Sequence, residues 1–150
     1  MTEVTEAPDV SDDMVWDAFP GVPLDRDNFE HYRGLLAKRL LINRCSACGY
    51  WIYPHRPMCP ECWSWDVVPT EVSGQGSVFL FTLIHQSRDP GAPLTTPEVV
   101  AAVELVERPG LRYLSRIVNC APEEVTLGMP VQLVWVDDDT STFPAFEPVR

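Results

Sequence analysis

Cys45-Ser46-Ala47-Cys48 and Cys59-Pro60-Glu61-Cys62 are two Cys-x-x-Cys pairs separated by ten residues. Each pair sits on a tight turn that can aim two thiolates at one point, and two such turns close a tetrahedron of sulfurs around a zinc ion. Gly49 suits the first turn, because a residue without Cβ takes positive φ at little cost; Pro60 stiffens the second. A full set of four protein thiolates leaves no open position for water or substrate, so the metal is expected to be structural. The competing reading of the same cysteines is two disulfides in a secreted mini-domain. The start of the chain has no basic and apolar signal segment, which argues for a reducing compartment and free thiols. Iron in place of zinc, making an electron carrier, is a third reading.

Around this centre the composition sets bounds. The 150 residues hold 22 acidic and 11 basic side chains, a net charge of −11, with 45% hydrophobic residues and 15 prolines. That many prolines favour short strands and loops over long helices. Nucleic-acid affinity comes mostly from Lys and Arg neutralising phosphates, so this chain repels a polyanion overall. No apolar run approaches the roughly 18–20 residues of a membrane span, and a cytoplasmic location is expected.

The chain divides into an acidic arm (1–27), a docking helix (28–41), a zinc ribbon (42–64) and a barrel (65–150). In the arm, Trp16 and Phe19 stand among acids. They read as a clamp folded back on the body, as a partner-docking segment, or as part of a disordered tail. Asp27 followed by Glu30 has the form of a helix start. Phe29, Tyr32 and Leu36 follow at helical spacing, with Leu40 beyond. This stripe either docks a partner or covers the chain's own body, and His31 is expected at the surface. Four cysteines already complete the metal site, so His55 is not expected to ligate; with Arg56 it reads as a small exposed cationic patch.

From residue 65 the pattern is β. Strands are expected at 65–72, 77–85, 97–107, 111–119 and 131–136, with a break at 73–76, a helical turn at 122–125 and a closing segment at 143–146. About five strands with one late helical turn fit a small closed barrel of the oligonucleotide/oligosaccharide-binding (OB) type. The fold class is therefore mainly β: a helical segment, a rubredoxin-like ribbon, then a five-stranded OB-fold barrel. The connection 86–96 is far longer than a hairpin requires and suggests contacts. Cys120 reads as a small filler or inert thiol. The chain has no nucleophile–base constellation and no Gly-rich phosphate loop, which favours a binding or accessory module over a self-sufficient enzyme. By fold habit alone, single-stranded nucleic acid is the alternative ligand.

Phe29-Glu30-His31-Tyr32-Arg33-Gly34-Leu35 with Arg39-Leu40, then Arg44-Cys45-x-x-Cys48-Gly49, then Tyr53-Pro54-x-x-Pro57-x-Cys59-Pro60-x-Cys62 form an ordered series. It continues through Ser73-Gly74-x-Gly76-x-Val78, Thr82, the run 99–105, Ile117-Val118 and Leu127-Gly128-Met129-Pro130-Val131. The series resembles the zinc-ribbon and OB-fold acyl-CoA-associated proteins, the domain of unknown function 35. One departure is Trp63-Ser64-Trp65 after Cys62, where a small residue such as Gly commonly follows the Cys. The resemblance implies a non-catalytic companion, in a hetero-oligomer, of thiolase-fold enzymes: thiolases, lipid-transfer-type retro-aldolases or acyltransferases, and sometimes MaoC-like hydratases. Actinobacterial steroid side-chain degradation is one setting it implies. Helix 28–41 and loop 86–97 would dock the partner, with a CoA thioester at the interface. Arg88, Arg112 and Arg116 would be the cations meeting CoA phosphates.

Overall fold

A computed structural model describes residues 9–87, 89–92, 95–138 and 141–150. Helix α1 (Asp12–Ala18) begins at Ser11, whose hydroxyl accepts from the Met14 N–H at 3.3 Å, with Asp12 and Asp13 in the first turn where the helix dipole favours acids. Its Val15 is fully buried. Helix α2 (Phe29–Leu36) packs beside it.

Helix α2 differs from the sequence expectation at both ends. The turn before it is organised by Asp25, not Asp27: the Asp25 carboxylate accepts from the N–H groups of Asp27 and Asn28 at 2.8 and 2.9 Å. Glu30, expected to reach back to the cap, instead holds Arg33 at 3.0 Å. The helix stops near residue 36 because Lys38 turns left-handed, at φ 54°, and the Arg39 N–H closes on the Gly34 carbonyl at 2.8 Å. Gly34 is where the helix meets the next strand. A Cβ there would lie 2.6 Å from the Arg39 carbonyl oxygen and 2.9 Å from Leu41 Cγ.

Strands β1 (Leu41–Cys45), β2 (Trp51–Ile52) and β3 (Val67–Glu71) form a three-stranded antiparallel sheet in the order β2-β1-β3. The stretch expected to open the barrel is thus β3, and it belongs to the ribbon sheet. Its register runs from Leu41 opposite Glu71 to Cys45 opposite Val67. Without β3, the second edge of β1 would present unpaired backbone groups beside the cysteines.

Strands β4 (Gln75–Ile84), β5 (Glu98–Leu105), β6 (Arg112–Ile117), β7 (Pro130–Asp137) and β8 (Thr142–Pro148) close a five-stranded barrel in the order β4-β5-β6-β8-β7. All its pairings are antiparallel except β6 with β8, where Arg116 and Ile117 lie beside Ala145 and Phe146. A bulge between Val78 and Leu80 lets β4 serve two neighbours in turn. Along β5 the inward residues Val99, Ala101, Val103 and Leu105 are buried in strict alternation.

One core runs through helix, ribbon and barrel, joining Leu35, Leu40, Ile42 and Trp51 to Val78, Leu111, Tyr113, Val131 and Phe146. The ribbon's own cluster is only Cys45, Ile52 and Cys59. Phe146, fully buried, sits where β6, β7 and β8 meet. Phe146→Ala is expected to lower stability by about 3–5 kcal/mol, read as a lower denaturation midpoint with the zinc content unchanged.

Candidate functional site

The two cysteine turns are built alike. In the first, the Gly49 N–H donates to the Cys45 carbonyl at 2.8 Å and the Cys45 N–H to the Tyr50 carbonyl at 2.8 Å. In the second, the Trp63 N–H donates to the Cys59 carbonyl at 3.0 Å and the Cys59 N–H to the Ser64 carbonyl at 2.9 Å. Ser46 ties the turns together, its N–H and hydroxyl donating to the Asp66 carbonyl at 2.8 and 2.9 Å.

Cys45 Sγ and Cys62 Sγ are 3.6 Å apart, as are Cys48 Sγ and Cys59 Sγ, and all four sulfurs lie within 4.8 Å of one another. Tetrahedral zinc with Zn–S bonds of about 2.3 Å sets sulfurs about 3.8 Å apart, so the cluster fits that ion. Cys45 and Cys59 are buried, while Cys48 and Cys62 face outward. Without metal, the Cys48 N–H, with the Ala47 N–H and neighbouring thiols, holds the Cys45 thiol down to about 7 against the opposing effect of burial. At Cys48 the Tyr50 N–H favours the thiolate, but burial and three nearby sulfurs outweigh it and push the thiol up to about 12. Four thiolates so close repel one another, and a divalent cation removes that repulsion. When bound, zinc supplies a cross-link between the two turns. Cys48→Ser is expected to abolish tight zinc binding and, with it, most of the roughly 10–16 kcal/mol such a site supplies; metal analysis and faster amide exchange at 42–45 and 67–71 would register both.

The histidines differ from the sequence expectation. His31 is buried: its Nδ1 lies 2.9 Å from the Leu41 carbonyl oxygen and its Nε2 3.4 Å from Tyr113 Oη. A surface place was expected because helical spacing alone put the apolar stripe on another face. His55 stacks 4.7 Å from His31, and its buried Nε2 has no hydrogen-bond partner. Burial lowers the pKa of His31. Burial, then repulsion from His31, lowers His55 to about 4. Both rings are therefore neutral near pH 7, and of the expected cationic patch only Arg56 is exposed and charged. The unfolded chain takes up these protons near 6.5 and the folded chain near 4 at His55, so stability falls as pH drops through that window. His55→Gln is expected to flatten this part of the stability–pH curve while zinc is retained, as measured by denaturation midpoints between pH 7 and pH 4.5.

The expected docking residues are partly used within the chain. Trp16 stacks on Phe29 at 5.5 Å and Phe19 on Tyr32 at 4.9 Å, and Arg33 holds the Val10 carbonyl and Asp12. The described part of the arm is thus a clamp. Phe29, Tyr32 and Leu36 are half-buried, the fully buried face of α2 being His31, Gly34 and Leu35. Trp16 remains exposed.

Arg88 lies outside the described residues, as do 93 and 94 of the long connection. Arg112 and Arg116 stand on the outer face of β6, each beside a carboxylate: Arg112 with Glu104 at 3.3 Å, Arg116 with Glu98 at 3.5 Å. Arg112 also lies over the Phe79 ring at 3.5 Å. Cys120 is half-buried, and burial followed by the Glu124 charge raises its thiol pKa, as suits an inert sulfur.

Sequence reasoning did not find the apolar face beside these arginines. Leu80, Ala102 and Leu114 are aligned across β4, β5 and β6, with Leu80 and Leu114 half or more exposed. Phe79 and Ile84 extend it along β4, while Leu83, opposite the inward Val99, lies on the other face. Beyond Val78, whose N–H donates to the Met129 carbonyl and whose carbonyl accepts from the Gly128 N–H, β4 has no ladder partner on its other edge among the described residues. The available signal was the apolar run 77–85, which lacks the polar alternation of a half-solvated strand.

Ribbon, closed barrel and four-sulfur cluster together define a rubredoxin-like zinc ribbon joined to an OB-fold. Residues 34–68 match the family described as the ChsH2 rubredoxin-like zinc ribbon domain, and 69–136 the ChsH2 C-terminal OB-fold domain. The solved "Ltp2-ChsH2(DUF35) aldolase" has a chain 37% identical, with TM-score 0.73, covering 85% of this chain and 98% of that one. The chain belongs to this ChsH2/DUF35 family.

Among curated relatives, the "Probable enoyl-CoA hydratase alpha subunit" of Thermomonospora curvata is 37% identical over 130 residues, covering 86% of this chain and 40% of that protein. The 3-oxo-4,17-pregnadiene-20-carboxyl-CoA hydratase alpha subunit of Mycobacterium tuberculosis is 33% identical over 142 residues, covering 93% and 43%. This chain therefore spans less than half the length of these two relatives. No helix among the described residues is long and apolar enough to cross a membrane.

Proposed function

We propose that this chain is the non-catalytic companion subunit of a thiolase-fold acyl-CoA enzyme, a thiolase, retro-aldolase or acyltransferase, which it binds and stabilises in a hetero-oligomer. The observation that carries the reading is the outer face of β4, β5 and β6. There an apolar centre at Leu80 and Leu114 is rimmed by the Arg112–Glu104 and Arg116–Glu98 pairs. An apolar centre within a polar rim is the anatomy of a protein interface. Chemistry is left to the partner, since a four-thiolate metal site has no coordination position for substrate. The likeness to a chain of an aldolase titled with both Ltp2 and ChsH2 supports a lyase-type partner. Hydratase alpha-subunit relatives, one acting on a steroid-derived CoA thioester by its name, support lipid or steroid side-chain degradation and a MaoC-like hydratase as a further associate. A CoA thioester at the interface and a cytoplasmic location belong to the same proposal.

Single-stranded nucleic acid, the alternative by fold habit, gains nothing from a net charge of −11 or from barrel arginines already neutralised by Glu98 and Glu104. Purified alone, the chain is expected to turn over no acyl-CoA, and co-expressed with a thiolase-like subunit of the same genome it is expected to yield a stable active complex. Leu114→Asp should weaken that complex at least tenfold, measured by calorimetry, with the melting temperature of the free chain nearly unchanged. Turnover of a thioester by the chain alone would reject the reading.

A further inference from the structure

The two cysteine turns require the same backbone at the residue after their second cysteine, yet they fill it differently. Gly49 takes φ 79° in the first turn and Trp63 takes φ 65° in the second. Glycine adopts this left-handed region freely, whereas a bulky L-residue is disfavoured there. The Trp63 side chain contributes little burial to the fold: it is 73% exposed. The chain has five tryptophans. Trp51 and Trp135 pack against the main core and Trp16 stacks on Phe29. Trp63 and Trp65, the latter 67% exposed, meet no other ring among the described residues.

Beside Trp65 lies a cleft between the start of α2 and the ribbon, lined by Trp65, Arg26, Arg56, Asn43, Pro57 and Asp27 among others. Arg26 is engaged only with neighbouring Asp27, at 3.4 Å. Arg56 has no ion pair among the described residues. In a chain of net charge −11, an arginine without an ion pair among the described residues, sharing a cleft with the exposed Trp65 two residues along the chain from Trp63, is a local inversion of the surface character. Tryptophan and arginine are the residue types enriched at interface hot spots, and a strained residue that the fold does not need points to a contact it serves.

We infer that the ribbon tip formed by Trp63, Trp65 and Arg56 is a docking surface for the enzyme subunit, meeting an acidic patch there that also presents an apolar pocket. This inference rests on the companion reading above and adds a second contact region, on the zinc ribbon and separate from the barrel face. Charge complementarity selects the occupant: Arg56 seeks a carboxylate that its own chain does not provide, and the indole rings need apolar cover.

The test uses the full-length zinc-loaded chain and the purified thiolase-like subunit from the same organism. Trp63→Gly restores the residue that the backbone conformation prefers, so zinc content is expected to stay at wild-type level and the melting temperature to hold or rise. Affinity for the enzyme subunit is nevertheless expected to fall at least tenfold. Arg56→Glu should weaken binding similarly and reduce its dependence on salt between 50 and 500 mM. Trp65→Ser probes the same surface without touching the turn. On complex formation, amides at 56–66 should become protected from exchange. Wild-type affinity in all three variants would overturn the docking assignment alone. Failure of the wild-type chain to bind the subunit would overturn the companion reading and this assignment with it. Trp63-dependent binding of a 15-nucleotide single strand in place of the protein would assign the surface to nucleic acid and also overturn it.

Discussion

Convergence of four sulfurs on one point is the constraint on which the rest depends. The ribbon's private cluster is Cys45, Ile52 and Cys59, too few side chains to hold a fold by burial. The metal centre replaces that missing core. Once the two turns are tied, β1 is held with β2 on one edge and β3 on the other, and the apolar faces of Ile42 and Trp51 are presented together to the barrel. The ribbon is thus rigid at its tip because of coordination, and at its base because it shares the barrel's core. Between these anchors lies a ring cluster of the buried His31 and Tyr113 and the half-buried His55 and Tyr53, contributed by helix, ribbon and barrel. Neutral imidazoles lower the cost of burying this polar junction.

Charge is distributed to match. Six of the described cations are held by carboxylates, including both barrel arginines and Lys38, which meets Asp137 at 3.0 Å. Pairs of this kind on exposed surface contribute little to stability, typically about 0–1 kcal/mol. Their effect is on specificity: they leave the barrel's outer face nearly neutral around its apolar centre. Arg44 and Arg108 are stacked instead, over Trp51 at 5.0 Å and Tyr50 at 4.3 Å. The barrel's outer face thus presents apolar surface among paired charges, whereas the ribbon presents Arg56, without an ion pair among the described residues, together with the exposed Trp63 and Trp65.

Much of this was legible from residue types and spacing. The zinc site follows from two Cys-x-x-Cys turns, because ligand geometry is local within each turn and only the pairing of turns is long-range. Strand β4 announced itself as a continuous apolar run and β6 by alternation of its two faces, while β8 was foreseen only as a short closing segment at 143–146. The stripe at Phe29, Tyr32 and Leu36 was visible too, but it turned out half-buried under α1, with His31 and Leu35 on the deeper face. Helical periodicity gives relative angles around an axis and no absolute direction toward the core.

What the chain's own residues determined, then, is the set of local structures and the identity of the metal ligands, because turn chemistry, period-two patterning and thiolate spacing act over a few neighbours. Only the tertiary structure decided that β3 joins the ribbon, that His31 is buried against Tyr113 with His55 packed on it, that Arg112 and Arg116 are already paired, and that Trp63 and Trp65 are left outside. Each of those depends on which edge or face a segment meets across tens of residues, a choice made by the burial and hydrogen bonding of the whole molecule and not written in any one stretch.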